Sequence, residues 1–90
     1  INANKSMKIR NELMQKFEEN YFEIVQDPFG NYAIQFAIDT YGNVFCKDLI
    51  NEICANILTF SLQKFSFNVV EKCLENCEEV LFKIFFNIFL

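Results

Sequence analysis

A chain of 90 residues is the size of one small domain, and 52% apolar with 17% aromatic side chains gives it ample material for a core. A net charge of −4 excludes recognition of nucleic acid chiefly through phosphates, which needs a basic stripe, so any such contact has to be made through bases. With no histidine, two glycines and four dispersed cysteines, the chain offers no phosphate-cradling loop, metal cluster or paired nucleophile and base, and an enzyme is the weakest reading.

The spacing predicts a first helix over about Asn4 to Phe17, with Met7, Ile9, Leu13, Met14 and Phe17 apolar and Lys8, Arg10, Glu12 and Lys16 outside. A short second helix from about Glu18 carries Tyr21, Phe22, Ile24 and Val25. It ends at Asp27, because Pro28 disfavours helical geometry in the residue before it. Asp27 is then the N-cap of a third helix, Phe29 to about Tyr41, with Pro28 in the first turn where its missing N–H costs nothing. Gly42 is expected to close that helix as a left-handed cap, and Asn43 to open a fourth through Val44, Leu49, Ile50 and Ile53. From Asn56 the order recurs as "NILTFSLQ", then "FSFNVVEKCLENC", then "EEVLFKIFFNIFL", whose Glu78 and Glu79 suit the positive end of a helix dipole. Strands find no alternating run to occupy, so the fold class is all-α.

Cys46, Cys54, Cys73 and Cys77 lie among apolar residues at helical intervals without paired CxxC spacing. They read as buried free thiols in a reducing interior, not as zinc ligands or disulfides, and no cofactor is expected. The greasiest run, Val80 to Leu90, is broken by Lys83 and Asn87 and falls short of the roughly 20 residues of a bilayer span, so no membrane association is expected. No charged and apolar leader with a small-residue cleavage site is legible. A domain this small buries only about 60% of its unfolded surface, so the chain reads as an excised piece of a longer one.

Asn31 and Phe67 are 36 positions apart, as are Gln35 and Glu71, and "FGNYAIQFAI" aligns without a gap on "FSFNVVEKCL". Helical units recurring at 20 to 50 residues mark a solenoid, in which each unit contacts mainly its neighbours. The organisation expected is the last helix of a preceding unit over 1–17, one unit over 18–54 and a second over 55–90.

On the helix from Phe29, Ala33, Ile34, Ala37 and Ile38 form the expected inward stripe, with Asn31, Tyr32 and Gln35 beside it. Residues four apart stand one turn from each other, so Asn31 and Gln35 are expected to project together, next to Tyr32. Two amides can supply the donors and the acceptor that uracil's Watson–Crick edge requires, whereas the carboxylate of Glu71 suits guanine, whose edge presents two adjacent donors. Tyr32, and less well the flat amide of Asn68, would hold bases by stacking. Polar side chains on a helix face are ordinary singly; their recurrence in register is what points to a ligand.

The stretches "VQDPFGNYAIQFAI" and "LQKFSFNVVEKCL" resemble two consecutive repeats of the Pumilio (PUF) family of RNA-binding proteins, over about Glu18 to Leu90. The resemblance implies a right-handed α-solenoid of three-helix repeats, non-enzymatic, in which the middle helix of each repeat lines a concave face and reads one base of single-stranded RNA. Carried onto this chain, Asn31 and Gln35 read uracil with Tyr32 stacking, and Glu71 reads guanine with Asn68 stacking. With RNA running antiparallel, the implied fragment is 5'-GU-3', part of the UGU-like element such proteins bind in messenger 3' untranslated regions to repress translation or promote decay. Regulatory protein partners and a cytoplasmic location are implied with it.

One position departs from the pattern. Guanine-reading repeats of the family usually carry Ser where this chain has Phe67, with Ser66 just before it. Phe67 cannot hydrogen-bond a base edge, and bringing Ser66 into its place takes about 100° of rotation around the helix. Weaker discrimination by Glu71 is therefore expected, and Phe67 is open to stacking, to the core or to a partner. Lys64 and Lys72 flank this site and could reach phosphates, although isolated lysines are more ordinarily solvated. The alternative function is a helical repeat that binds protein without base readout, and the apolar end faces of a two-repeat piece lead us to expect self-association.

Overall fold

The computed structural model describes residues 3–76, and its regular elements are all helices: α1 (Ala3–Ile24), α2 (Gly30–Phe45), α3 (Lys47–Ala55), α4 (Ile57–Ser61) and α5 (Lys64–Asn76). No strand occurs among the described residues. The chain is all-α, as the three-and-four spacing predicts. The expected last helix, with Glu78, Glu79, Phe82, Phe85, Phe86 and Phe89, lies outside the described residues, as does Cys77.

Two asparagines punctuate the helices in the same way. Asn20 breaks α1 at φ −126°, ψ 19°, and Asn56, 36 positions later, separates α3 from α4 at φ −115°, ψ 27°. Each turns its amide back onto the carbonyl four residues earlier: Asn20 Nδ2 donates to Lys16 O at 3.0 Å and Asn56 Nδ2 to Glu52 O at 3.1 Å. A short side chain that satisfies an orphan carbonyl competes with continuation of the helix and ends it. The break expected after Phe17 thus falls at Asn20. Asn56 Nδ2 also donates to the Tyr21 hydroxyl at 3.0 Å, tying one unit's first helix to the next unit's start.

Gly42 interrupts α2 at φ 86°, ψ 166°. The expected left-handed helical cap is instead an extended conformation at positive φ that side chains disfavour; no neighbour crowds the site, so the backbone alone requires glycine.

The core is continuous across the units. Phe60, fully buried, meets the rings of Tyr21 at 6.3 Å edge-on and Phe22 at 5.2 Å, beside Val25, Leu49, Ile50 and Ile53. On α1 the packed stripe contains Met14 and Phe17, while Met7, Ile9 and Leu13, expected to be apolar contacts, are exposed. Arg10, expected outside, lays its guanidinium 4.0 Å over the Phe45 ring. It lies four residues before Met14, one turn along that stripe. Cys46, Cys54 and Cys73 are buried and outside any disulfide. A hydrogen bond from Cys73 lowers the Cys54 thiol pKa against the opposing effect of burial. Packing sets α2 and α5, the middle helices of the two units, side by side.

Candidate nucleic-acid interface

The approach to α2 is built on Asp27. Its carboxylate accepts from the N–H groups of Phe29 at 2.9 Å and Gly30 at 2.7 Å, the geometry of an N-cap with Pro28 in the first turn. Those two bonds, Gly30's the stronger influence, hold the Asp27 carboxyl below the usual aspartate range. Gly30 is required by proximity: a Cβ there would stand 2.7 Å from the carbonyl oxygen of Ile24 and 2.9 Å from its Cγ2.

The second unit solves the same approach differently. Ser66, 36 positions after Gly30, is buried, and its hydroxyl donates at 2.7 Å to the carbonyl of Phe60, which is 36 positions after Ile24. Ser66 is thus committed to the backbone and unavailable to a base.

On α2 the structure corrects the expected stripe. Asn31 is wholly buried and Ala33 is exposed, so the inward residues of α2 are Asn31, Ile34, Ala37 and Ile38. Asn31 does not project with Gln35: its Nδ2 donates to the carbonyls of Asp27 at 2.8 Å and Pro28 at 3.0 Å. Both amide hydrogens are spent on the first turn of the helix, whose early carbonyls draw the side chain inward. Its Oδ1 accepts from Gln35 Nε2 at 3.0 Å. Gln35 itself is half-buried and Tyr32 is 61% exposed.

On α5, Phe67 is 44% exposed, so this ring is neither core nor fully free; Asn68 is half-buried and Glu71 is exposed. Lys72, considered for phosphate, is engaged by protein: its Nζ lies 3.0 Å from Asp39 Oδ2 on α2 and 3.4 Å from Glu75 Oε2. The hydrogen bond to Asp39 raises the Lys72 pKa above the usual lysine range, with Glu75 adding to it. This strut between the two middle helices was not anticipated from sequence, although Lys72 falls 36 positions after Phe36, and Glu75 falls 36 after Asp39. Lys64 Nζ sits 5.6 Å from the Phe65 ring centroid. No group of three or more metal-type ligands occurs among the described residues.

Residues 20–54 and 56–88 each match the family model described as Pumilio-family RNA binding repeat. The chain belongs to the Pumilio family. Its similarity extends to a putative Pumilio homolog 7, chloroplastic, of Arabidopsis thaliana, 36% identical over 70 residues, which are 78% of this chain and 11% of that protein. Pumilio homolog 11 of the same plant is 38% identical over 64 residues, 70% of this chain and 11% of that protein. A Pumilio domain-containing protein of Schizosaccharomyces pombe is 32% identical over 63 residues, 70% of this chain and 9% of that protein. The Pumilio repeats described here thus span about a tenth of the length of these relatives. No solved structure matches the chain. No helix among the described residues is long and apolar enough to cross a membrane.

Proposed function

We propose that this chain binds single-stranded RNA by base-edge readout, one base per repeat, within a regulator of messenger translation or stability. The observation that supports it is the recurrence of reading positions at 36 residues on two helices that pack side by side. Gln35 offers an amide to uracil, with Tyr32 as the stacking platform, and Glu71 offers a carboxylate to the adjacent N1–H and N2–H of guanine, with Asn68 beside it. Asn31 stands behind Gln35 in this reading. Phe67 supplies a flat apolar face without a hydrogen bond, so guanine is preferred less sharply than uracil. The ligand is a UGU-like element of a 3' untranslated region, met as 5'-GU-3', in the cytoplasm.

Two bases contribute roughly 4–12 kcal/mol from edge contacts and stacking. That is comparable to an association cost of about 4–15 kcal/mol, so binding is best measured with the two repeats inside a longer Pumilio-type array. The test compares a UGU-containing RNA with variants altered at G or at the second U, at low and moderate salt. Selectivity at the U, weaker selectivity at the G and a shallow salt slope are expected. Equal, weak and steeply salt-dependent binding to every RNA would leave protein docking, through the exposed Tyr32, Phe36 and Phe67, as the better account.

A further inference from the structure

We infer that Cys54 and Cys73 form an oxidant-sensitive dithiol, which peroxide converts into a disulfide joining the first repeat to the second. Neither thiol is among the residues assigned to RNA, so the inference does not depend on base readout.

The geometry comes from the packing of two helices across the repeat boundary. Cys54 stands in the last turn of α3, at the end of the first matched repeat, and Cys73 in α5, within the second. The helices touch, both side chains fall in the same buried cluster, and the Cys73 thiol donates a hydrogen bond to the Cys54 sulfur. A disulfide forms only between cysteines whose side chains point at one another, and these two do. Cys46 is placed otherwise. It is the N-cap at the far end of α3, where its thiol donates to the Ala37 carbonyl at 3.7 Å. A helical rise of about 1.5 Å per residue sets it roughly 12 Å from Cys54, beyond disulfide reach.

Two observations make Cys54 the nucleophile and Cys73 the resolving thiol. Cys54 is 5% exposed against 1% for Cys73, and it precedes the exposed Ala55 and the helix break at Asn56, where opening of the last turn admits a small oxidant. The hydrogen bond from Cys73 also favours the Cys54 thiolate, the form that reacts. That thiolate attacks one oxygen of hydrogen peroxide: an S–O bond forms, the O–O bond breaks and hydroxide leaves, giving a sulfenic acid at Cys54. The Cys73 sulfur then attacks the Cys54 sulfur. The S–S bond forms, the S–O bond breaks, and the hydroxyl departs with the Cys73 proton as water. Two thiols have lost two electrons and two protons, and the peroxide has become two waters. Burial keeps the pair reduced until the end of α3 opens. The product adds a covalent tie to the packing and the Lys72–Asp39 ion pair that already join the repeats.

The experiment treats this chain, within a longer and folded Pumilio-type array, with hydrogen peroxide, blocks the remaining thiols and digests with trypsin. Cleavage after Lys47, Lys64, Lys72 and Lys83 leaves Cys54 in residues 48–64 and Cys73 in residues 73–83. The two peptides are expected to be recovered joined, lighter by two hydrogens than their sum, and to separate in dithiothreitol. Fragmentation of the joined pair is expected to place the bond on Cys73 and not on Cys77, which shares its peptide. In C73S the link is expected to be lost and Cys54 to be labelled by dimedone, which traps sulfenic acids; in C77S the link persists. Recovery of Cys54 and Cys73 unlinked from the unaltered array would overturn the inference. So would a bond made through Cys46 or Cys77, or one that appears only once the array is thermally unfolded. These refuting outcomes are all read on the unaltered sequence, so a variant that fails to fold does not shelter the proposal.

Discussion

Changing Gln35 to Glu is the substitution a base-by-base code would use to turn uracil preference into guanine preference, and in this chain it is expected to fail unless Asn31 changes too. The introduced carboxylate has no hydrogen for Asn31 Oδ1, which now accepts from Nε2 at 3.0 Å. Asn31 is 0% exposed, so water cannot replace the donor. Turning the Asn31 amide over does not help, since it would aim oxygen at the carbonyls of Asp27 and Pro28 and break two bonds to save one. The buried acceptor is therefore left unsatisfied, at a cost of about 1–3 kcal/mol, with charge repulsion in addition. In a domain this small each kcal/mol lowers Tm by about 4–8 °C. A protonated carboxyl regains an O–H donor, so the folded state raises the pKa of the introduced group. The deficit is then full above that raised value, shrinks as pH falls through it and vanishes below the unfolded-state value. Thermal melts of Q35E and the parent across neutral to mildly acidic pH measure the difference, and N31S/Q35E is expected to recover much of it. A Q35E variant that melts with its parent at neutral pH and takes guanine without a second change would refute the reasoning.

Gly30→Ala places a methyl 2.7 Å from the Ile24 carbonyl oxygen. The overpacking cost of about 1–3 kcal/mol outweighs a helix-propensity gain of at most about 1 kcal/mol, so a lower Tm is expected and an unchanged one counts against the close approach. Ser66→Ala removes the donor to the buried Phe60 carbonyl and is expected to cost about 1–3 kcal/mol without altering base preference; altered preference would return Ser66 to the interface. The support Asp27 lends to the start of α2 is present above the ordinary aspartate pKa and is lost as pH falls through its lower folded value. Melts of D27A and the parent should therefore converge at acid pH, and a constant gap would contradict the capping role. The isolated chain, with Phe29, Tyr32, Phe36 and Leu62 exposed, is expected to self-associate, which sedimentation at rising concentration tests; a monomer throughout opposes it.

Much of the fold was legible because helix rules are local. Apolar spacing, the turn residues and the 36-residue offset depend on neighbours along the chain, and from them came the all-α class and Asp27 as a cap. The boundary at Asn20 was missed because it turns on a side-chain amide reaching one carbonyl, and nothing in hydropathy distinguishes an asparagine that caps from one that is merely exposed. The recurring polar positions were likewise legible as a register, and their surroundings were not. Asn31, a polar residue on the edge of an apolar stripe, looks from sequence like half of a pair projecting outward. The first-turn carbonyls of Asp27 and Pro28 draw it inside instead.

The sequence by itself determined a two-unit helical repeat and the positions that recur in it, because periodicity survives without coordinates. The tertiary structure alone decided which polar groups are spent. Asn31 and Ser66 satisfy backbone carbonyls and Lys72 joins α2 to α5 through Asp39, while Tyr32 and Glu71 remain exposed. The physical reason is that a buried hydrogen-bonding group must find its partner in three dimensions, and the partner is set by how the chain closes on itself rather than by spacing.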